Sequence, residues 1–256
     1  MTEQNLTEQN LKPVFKIDKS KRIRFISLFS GVGFQELGLK YLGVDFEYYK
    51  AVEFDKYACL AYNAVHDTNI IPTDITTIKG KDLEITDKDK YFYLMTYSYP
   101  CTDLSVAGAQ KGMAKDGGTR SGLLWQVERL LNETEELPDL LIMENVAAVH
   151  SKKFMPDFQK WIDFLKSKSY SNYWHDMNTL DYGIPQSRNR CYMVSILGDY
   201  RYEFPKPIPL EKSLEDMLIP EEEVEPKYYF NSNKTKKLIK DMLDKGELPY
   251  EKDISC

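Results

Sequence analysis

The chain has 256 residues, of which 42% are hydrophobic, so it can bury one large core and we expect a folded protein. It carries 34 basic and 40 acidic residues, and its formal net charge is −6. This balance argues against a protein that grips a long stretch of nucleic acid unaided, because such proteins usually present a basic face. No signal peptide and no apolar run of transmembrane length is recognisable, so we expect no membrane partner.

Cysteine and histidine usage argues against two common kinds of site. The four cysteines have no CxxC spacing and no histidine cluster beside them, and the chain has only three histidines. We therefore expect neither a disulfide framework nor a structural zinc site, and we predict no metal. The same usage suits a reducing cytoplasm.

The two ends of the chain differ in composition from its middle. Residues 1–21 begin with a repeated pentapeptide and continue into a Lys-rich stretch, which predicts a mobile leader. Residues 201–256 are acidic and punctuated by prolines, with one helix candidate at 234–245 and no second hydrophobic core. We expect one catalytic domain over residues 22–200.

A glycine turn follows the first predicted strand, Ile23–Phe29. The turn contains Gly31 and Gly33 and leads into a helix predicted over 35–42, with apolar positions at Phe34, Leu37 and Leu42. A strand, a tight turn and a helix together offer backbone amides and a helix N-terminus to a cofactor. Such turns also occur where two backbones merely pass closely, so the pattern alone leaves both interpretations open.

Two acids follow at the ends of the next extended segments. A second strand, predicted over 46–53, ends in Glu53, about 20 residues beyond the glycines, where an acid can accept hydrogen bonds from ribose hydroxyls. A surface glutamate at a strand end is the simpler alternative. A helix is predicted over 56–66, and the short extended segment 71–75 contains Asp74.

A cysteine lies just beyond the third predicted strand, Tyr91–Tyr97. Pro100 and Cys101 follow this apolar run, so a thiol is expected at the carboxyl end of a strand, where open α/β sheets bind their ligands. A buried structural cysteine is the alternative for such a residue. The glycine-rich, basic segment 105–122 that comes next is predicted to act as a lid.

The later segments complete an alternating pattern. Helices are predicted over 123–133 and 154–168, on either side of a buried strand over 139–146 that contains Glu144. Strands 173–180 and 191–197 are separated by a short turn and are expected to pair antiparallel. The fold class predicted from this alternation is α/β, a doubly wound, mostly parallel sheet with an antiparallel edge hairpin.

Five stretches carry a resemblance to a known family. The chain resembles the DNA cytosine-5 methyltransferases that use S-adenosylmethionine, over residues 22–200 and in the order of that family's motifs. The stretches are Phe29-Ser-Gly-Val-Gly33, Glu53, Pro100-Cys101, Glu144-Asn145-Val146 and Gln186-Ser-Arg188-Asn-Arg190.

The resemblance implies a covalent mechanism on a cytosine flipped out of double-stranded DNA. Cys101 would be the nucleophile that adds to carbon 6, because a thiolate both attacks and leaves well. Glu144 would polarise nitrogen 3, while Arg190 and, less directly, Arg188 would stabilise the charge on the ring. The residues expected to contact the substrate are Ser105, Asn145 and Gln186.

The resemblance also implies an S-adenosylmethionine pocket. Glu53 would hold the ribose hydroxyls, Phe54 would stack on adenine, and Asp74 would bind the adenine amino group. The full set of expected cofactor contacts is Phe29, Gly31, Gly33, Glu53, Phe54, Asp74, Ile75 and Pro100.

Two departures from the family pattern qualify the resemblance. Thr102 stands where the family often has Gln, and after residue 200 we find no stretch that resembles the recognition domain or the terminal motifs. Three explanations stay open: a split enzyme whose second subunit carries those parts, a truncated chain in which residues 201–256 begin the missing recognition domain, or a tail that serves in a reduced way. A cytoplasmic, bacterial or phage-encoded enzyme of a restriction-modification or other modification system is expected. The alternatives are a tRNA cytosine-5 methyltransferase of the same fold and a non-catalytic regulatory protein that keeps the fold.

Overall fold

The computed structural model describes residues 12–105, 108 and 110–246, and within these a six-stranded sheet with the order β2-β1-β3-β4-β6-β5. β2, β1, β3 and β4 run parallel to one another, whereas β6 runs antiparallel to both β4 and β5. The predicted fold class is thus confirmed. The strands are β1 (Arg22–Leu28), β2 (Phe46–Val52), β3 (Tyr91–Tyr97), β4 (Leu140–Val146), β5 (Tyr170–Asn178) and β6 (Asn189–Leu197).

Five α-helices connect or follow these strands in the described part of the chain. They are α1 (Phe34–Tyr41), α2 (Lys56–His66), α3 (Leu124–Glu133), α4 (Met155–Ser167) and α5 (Asn233–Asp244). Local sequence explains where α2 begins, because the Asp55 side chain accepts hydrogen bonds from the N–H groups of Tyr57 and Ala58. All but α5 lie within the region that alternates with strands.

Both faces of the sheet are covered. On one face, apolar residues of α3 and α4 such as Leu130, Trp161 and Leu165 belong to a large buried cluster with alternate residues of β1 and β3. On the other face a smaller cluster includes Phe25, and partly buried residues including Leu39 and Phe204 pack against it. Because alternate strand residues point to opposite faces, such a sheet needs the nearly continuous apolar strands that this sequence has.

The strand order creates a topological switch between β1 and β3. The chain moves from β1 to β2 on one side and returns to β3 on the other, so the carboxyl ends of β1 and β3 open onto a shared crevice. This is the edge at which the glycine turn and the Pro100-Cys101 segment leave the sheet. The fold therefore brings the two most distinctive sequence features to neighbouring strand ends.

Several predicted elements differ in detail from the structure. The edge hairpin is longer than predicted, because ladder pairing runs from Tyr170 opposite Leu197 to Asn178 opposite Asn189. The segment 71–75 is not a strand and contributes no ladder to the sheet.

The inward face of α1 is also different from the predicted one. Phe34 and Leu42 are 74% and 78% exposed, whereas Glu36 is fully buried. The close contact of Gly33 with α2 fixes the rotation of the helix, so the position three residues later faces inward.

The predicted leader is only partly outside the described residues. Residues 1–11 lie outside them, but Phe15 packs edge-on against Tyr200 and near Phe92, and its N–H donates to the carbonyl of Arg201. This part of the leader therefore contacts the sheet.

The segment after residue 204 is different in character, since no residue of 205–246 is buried. No helix among the described residues is long and apolar enough to cross a membrane.

Candidate active site

A cavity of about 560 Å³ lies at the carboxyl ends of β1, β2 and β3. Six of the eight residues predicted to contact a cofactor line it together, although they come from four separate parts of the sequence. These residues are Phe29, Glu53, Phe54, Asp74, Ile75 and Pro100.

Glu53 is the polar centre of this cavity. One carboxylate oxygen accepts the N–H of Gly31 at 2.8 Å, and the other accepts the N–H of Asp55 at 2.8 Å. These two bonds fix the carboxylate at the end of β2. Because each oxygen has two lone pairs, the carboxylate can still accept further hydrogen bonds from a ligand hydroxyl.

The two glycines of the turn have a different place from the one predicted. Neither is among the residues that line the cavity. The Gly31 N–H is already bonded to Glu53, and Gly33 lies against His66 and Tyr62 of α2. Their contribution is therefore to the shape of the turn, through backbone angles that favour glycine (φ of +56° and +80°).

The far wall of the cavity is the segment that follows α2. The N–H of Thr73 donates to the carbonyl of Glu53 at 2.7 Å, which ties this segment to the end of β2. The Asp74 carboxylate accepts the N–H of Thr76 at 2.9 Å, and the carbonyl of Ile75 accepts from the Arg129 guanidinium at 3.0 Å. The loop is thus held by hydrogen bonds without being a strand.

Cys101 is the fourth residue beyond the end of β3, in a segment held from two sides. The amide nitrogen of Asn145, on β4, donates to the carbonyl of Tyr99 at 3.0 Å. The buried Ser121 hydroxyl donates to the carbonyl of Pro100 at 2.7 Å and accepts the N–H of Asp103 at 3.2 Å. The thiol is half-buried, so a ligand can approach it.

Asn145 differs from its predicted role as a substrate contact. It is 2% exposed, and its side-chain oxygen accepts the N–H of Val146 at 2.9 Å while its nitrogen holds Tyr99. Both polar ends of the amide are therefore used within the protein. Asn145 thus holds the cysteine segment through its side chain, and its contact with a substrate stays a prediction.

Glu144 and Arg190 form an ion pair at the same edge of the sheet. The Arg190 Nε lies 3.1 Å from a Glu144 carboxylate oxygen, and the two side chains are 20% and 23% exposed. Antiparallel pairing explains the contact, because Val146 is opposite Arg190 and Glu144 is opposite Tyr192, so the two side chains share one face.

The surroundings of Tyr99 connect the thiol with this ion pair. Burial raises the pKa of Tyr99 well above its ordinary value, and the neighbouring Cys101 and Glu144 add to the rise. The end of β3 that leads to Cys101 lies beside the end of β4 that carries Glu144, because these two strands pair directly in the sheet. The predicted nucleophile and the predicted acid lie on neighbouring strand ends of one site.

The remaining predicted substrate contacts lie around this edge. Arg188 and Gln186 are exposed, and the N–H of Arg188 donates to the Asn178 side chain at 3.0 Å. Burial raises the pKa of Tyr192, and the charges of Arg188 and Arg190 offset part of that rise. Ser105 is half-buried, and its N–H donates to the carbonyl of Cys101 at 2.9 Å.

One group of possible metal ligands occurs among the described residues. Donor atoms of His150, Asp176 and Cys191 lie within 4.8 Å of one another. The imidazole and the carboxylate are already bonded to each other at 2.8 Å. Burial, with Asp176 and Glu144 nearby, raises the pKa of the Cys191 thiol to about 12, which disfavours the thiolate that a metal requires. We assign no metal to this group.

The lid predicted over 105–122 is anchored rather than open in its later half. Met113 and Ser121 are fully buried, and the N–H of Gly112 donates to the carbonyl of Asp103 at 2.9 Å. Residues 106, 107 and 109 lie outside the described residues. Motion of the segment as a lid stays a prediction.

Sequence reasoning missed several residues that line the cavity. Leu123 is the first residue of the helix predicted over 123–133, and Arg120 lies within the segment predicted as a lid. Nothing local in the sequence indicates that the start of α3 folds over the cavity. The missed residues are Val52, Asp55, Thr73, Thr76, Ser98, Arg120 and Leu123.

Comparisons with known proteins agree with one another. The family model described as C-5 cytosine-specific DNA methylase matches residues 23–254. The type II methyltransferase M2.ScrFI of Lactococcus lactis subsp. cremoris is 31% identical over 82% of this chain and 71% of its own length. The type II methyltransferase M.HhaI of Haemophilus parahaemolyticus is 33% identical over 79% of this chain and 59% of its own length.

A solved structure extends the likeness to the fold. The methyltransferase EhMeth of Entamoeba histolytica superimposes with a TM-score of 0.67 at 18% identity, over 89% of this chain and 66% of that one. The chain thus spans about three fifths to seven tenths of the length of these relatives.

Proposed function

Because the chain belongs to the C-5 cytosine-specific DNA methylase family, we propose that it transfers a methyl group from S-adenosylmethionine to carbon 5 of cytosine in DNA. One observation carries the proposal: Pro100 lines the Glu53 cavity, and Cys101 is the next residue. A nucleophile beside a cofactor-sized cavity suits a reaction in which both act on one ring.

The cavity fits the proposed cofactor by its donor set. An acid held at the strand end suits the two ribose hydroxyls, and Phe29, Phe54 and Ile75 offer apolar surface to a base. Asp74 is the second acid in the lining and suits an exocyclic amine. When bound, S-adenosylmethionine supplies a methyl group activated by a positively charged sulfur.

The chain's own residues then carry the steps on the base. The Cys101 thiolate forms a bond to carbon 6, and Glu144, in its protonated carboxylic acid form, donates its proton to nitrogen 3, so that electron density moves to carbon 5. Arg190 holds the Glu144 carboxyl and adds positive charge near the ring. After methylation, water takes the proton from carbon 5, the electron pair of that C–H bond restores the ring double bond, and the Cys101 thiolate leaves carbon 6 while nitrogen 3 returns its proton to Glu144.

We propose that the target cytosine is flipped out of the duplex. Carbon 6 of a stacked base cannot reach a thiol set among strand ends. The exposed Arg188 and Gln186 are suited to contact the flipped nucleotide or its phosphates, and Ser105 follows the nucleophile closely. These roles are consistent with the positions of the side chains around the ion pair.

The DNA-recognition part is proposed to lie outside these 256 residues, on a second subunit or a further segment. The length shared with the relatives supports this, as does an apolar surface near the cavity. Phe54, Tyr57 and Leu60 are 73%, 68% and 63% exposed around the start of α2. A covering element would remove this surface from water.

A role in a restriction-modification or other modification system of a bacterium or phage is proposed from the bacterial, type II relatives, with action in the cytoplasm. A tRNA cytosine-5 methyltransferase would use the same thiol chemistry, and a regulatory protein would keep the fold without it. The nucleic acid that is methylated distinguishes the DNA enzyme from the tRNA enzyme. Formation of a covalent adduct distinguishes both enzymes from a regulatory protein.

The replacement Cys101→Ser tests the mechanism. We expect methyl transfer to fall by at least about a thousandfold, because an alcohol is a far weaker nucleophile than a thiolate at neutral pH. Radiolabelled S-adenosylmethionine and DNA from a strain without cytosine methylation would serve as substrates. The wild-type chain should also form a covalent adduct with DNA that contains 5-fluorocytosine.

Cys59→Ser is the matched control, since it makes the same thiol-to-hydroxyl change at a buried cysteine of α2 whose bond to the Glu53 carbonyl a hydroxyl can also make. Wild-type rates in Cys101→Ser would contradict the nucleophile assignment. Labelling of tRNA with none of DNA would favour the RNA alternative. Cofactor binding without any adduct, in the presence of the recognition part, would favour the regulatory one.

A further inference from the structure

His66 lies beneath the glycine turn although nothing in the proposed chemistry uses it. It is the last residue of α2 and is 4% exposed. Its Nε2 is 3.1 Å from the carbonyl oxygen of Val32, between the two glycines. Because a carbonyl oxygen can only accept, Nε2 carries a hydrogen and donates to Val32.

Tyr48 bonds the other nitrogen of the His66 ring. The Tyr48 hydroxyl lies 3.1 Å from Nδ1 of His66. In the neutral imidazole Nδ1 accepts the Tyr48 O–H when Nε2 is the donor, so one hydrogen-bonded chain runs from Tyr48 through His66 to Val32. Tyr48 belongs to β2, the strand that leads to Glu53.

The turn and the imidazole fit closely. A Cβ added to Gly33 would lie 2.1 Å from the His66 Nε2 and 2.9 Å from the ring of Tyr62. A Cβ added to Gly31 would meet nothing within 4 Å. Position 33 therefore needs glycine because a side chain there would collide with His66. Position 31 needs glycine only because its backbone is left-handed, with a φ of +56°.

The glycine turn is also hydrogen-bonded to Glu53, the acid in the cavity. The N–H of Gly31 donates to Glu53, and the N–H of Gly33 donates to the carbonyl of Ser30 at 3.0 Å. A shift of the Val32 carbonyl would move both amides. The position of the Glu53 carboxylate therefore depends on the hydrogen bond from His66 to the Val32 carbonyl.

We propose that His66, oriented by Tyr48, is a positioning residue that holds the glycine turn and thereby sets Glu53 for the cofactor. The second half of this inference rests on the proposed function, whereas the first half concerns the turn alone. Loss of the His66 hydrogen bond should loosen the turn without disturbing the cysteine segment.

The test compares His66→Leu, which cannot donate, with His66→Gln, whose amide can reach the same carbonyl. Without cofactor, we expect amide hydrogen exchange at Gly31 and Gly33 to be about tenfold faster in His66→Leu, from the loss of one hydrogen bond. His66→Gln should restore most of the protection. Amides of β4 should keep their wild-type rates in both variants.

Cofactor affinity is the second measurement, by calorimetry with S-adenosylmethionine. The dissociation constant should rise about tenfold in His66→Leu and less in Tyr48→Phe, which keeps the ring but loses the hydroxyl. His175→Leu, on exposed β5, is the control and should change neither quantity. In turnover experiments the effect should fall on the KM for the cofactor and not on kcat.

The outcomes separate the two inferences. Unchanged exchange at Gly31 and Gly33 in a folded His66→Leu or Tyr48→Phe variant would overturn the positioning role. Faster exchange in the variants, with no cofactor binding by the wild-type chain even in the presence of its recognition part, would leave the positioning role standing and contradict the proposed cofactor. A fall in kcat with an unchanged cofactor KM would also overturn the proposal.

Discussion

Single buried side chains hold the segment that carries the proposed nucleophile, Cys101. Ser121 and Asn145 come from different elements, yet each donates to a carbonyl within the two residues before Cys101. Neither role is visible in the sequence, where Ser121 lies in a loop and Asn145 beside the predicted acid. A buried side chain bonded to a backbone group far away in sequence becomes identifiable only once the fold is known.

Ser121→Ala is expected to destabilise the chain by about 1–3 kcal/mol, because it leaves the Pro100 carbonyl and the Asp103 N–H without their partner. Urea unfolding measures this free energy. Ser20→Ala removes a hydroxyl bonded to Asp18 at the surface and should cost far less. Equal losses of unfolding free energy in the two variants would contradict the stabilising role assigned to the two hydrogen bonds of Ser121.

Glu36 gives a pH dependence with a definite sign. Burial raises the pKa of its carboxyl above the ordinary 4.5, and the hydrogen bond from Tyr62 offsets only part of the rise. Between the ordinary and the raised value the folded chain keeps a proton that the unfolded chain has lost. The contribution of Glu36 to the free energy of unfolding is therefore greatest below pH 4.5 and falls as pH rises through the raised pKa.

Glu36→Gln should remove that fall, so the variant should gain stability relative to wild type as pH rises. Denaturant unfolding at several pH values checks this, with the exposed Glu135→Gln as a control that leaves the slope unchanged. A difference between Glu36→Gln and wild type that does not vary with pH would contradict the prediction.

At the scale of elements, apolar periodicity in the sequence predicted the type and the bounds of most helices and strands. The alternation of strands and helices is set by local apolar patterns, so β1 to β4 and α2 to α4 fall close to their predicted bounds. The face of α1 and the position of the glycines were not predicted, because both depend on contact with α2. Six of the eight proposed cofactor residues line one cavity because strand ends converge at a topological switch.

The glycine turn allows a comparison within one element. Gly31→Ala should cost roughly 1–2 kcal/mol, from its left-handed backbone alone. Gly33→Ala should cost on the order of 4 kcal/mol or more, because its Cβ would also strike His66. Thermal or urea unfolding ranks the two, and Gly43→Ala, also left-handed and uncrowded, should resemble Gly31→Ala. A Gly33→Ala variant as stable as Gly31→Ala would contradict the close contact.

The described part of the molecule combines a six-stranded sheet with a long exposed segment, and the chain as a whole has an acidic balance. A net charge of −6 gives little general attraction to phosphates. We expect this chain alone to bind mixed-sequence duplex DNA with a dissociation constant weaker than about 100 μM at physiological salt. Fluorescence anisotropy with a labelled duplex checks this, and addition of the proposed recognition part should tighten binding. Micromolar binding by the chain alone would contradict the proposal that most of the DNA affinity comes from the recognition part.

The direction of β6 has a consequence for how this protein tolerates change. Because β6 is antiparallel, its first residues, and not its last, reach the reactive edge, so Arg190 enters the site directly after the 179–188 connection. Its register is fixed downstream by the buried Met193 and Ile196. The connection can therefore gain or lose residues without turning the arginine away, whereas a one-residue deletion inside β6 would exchange it for a neighbour that faces the opposite side. A change in the length of the 179–188 connection should therefore leave the direction of the Arg190 side chain unchanged.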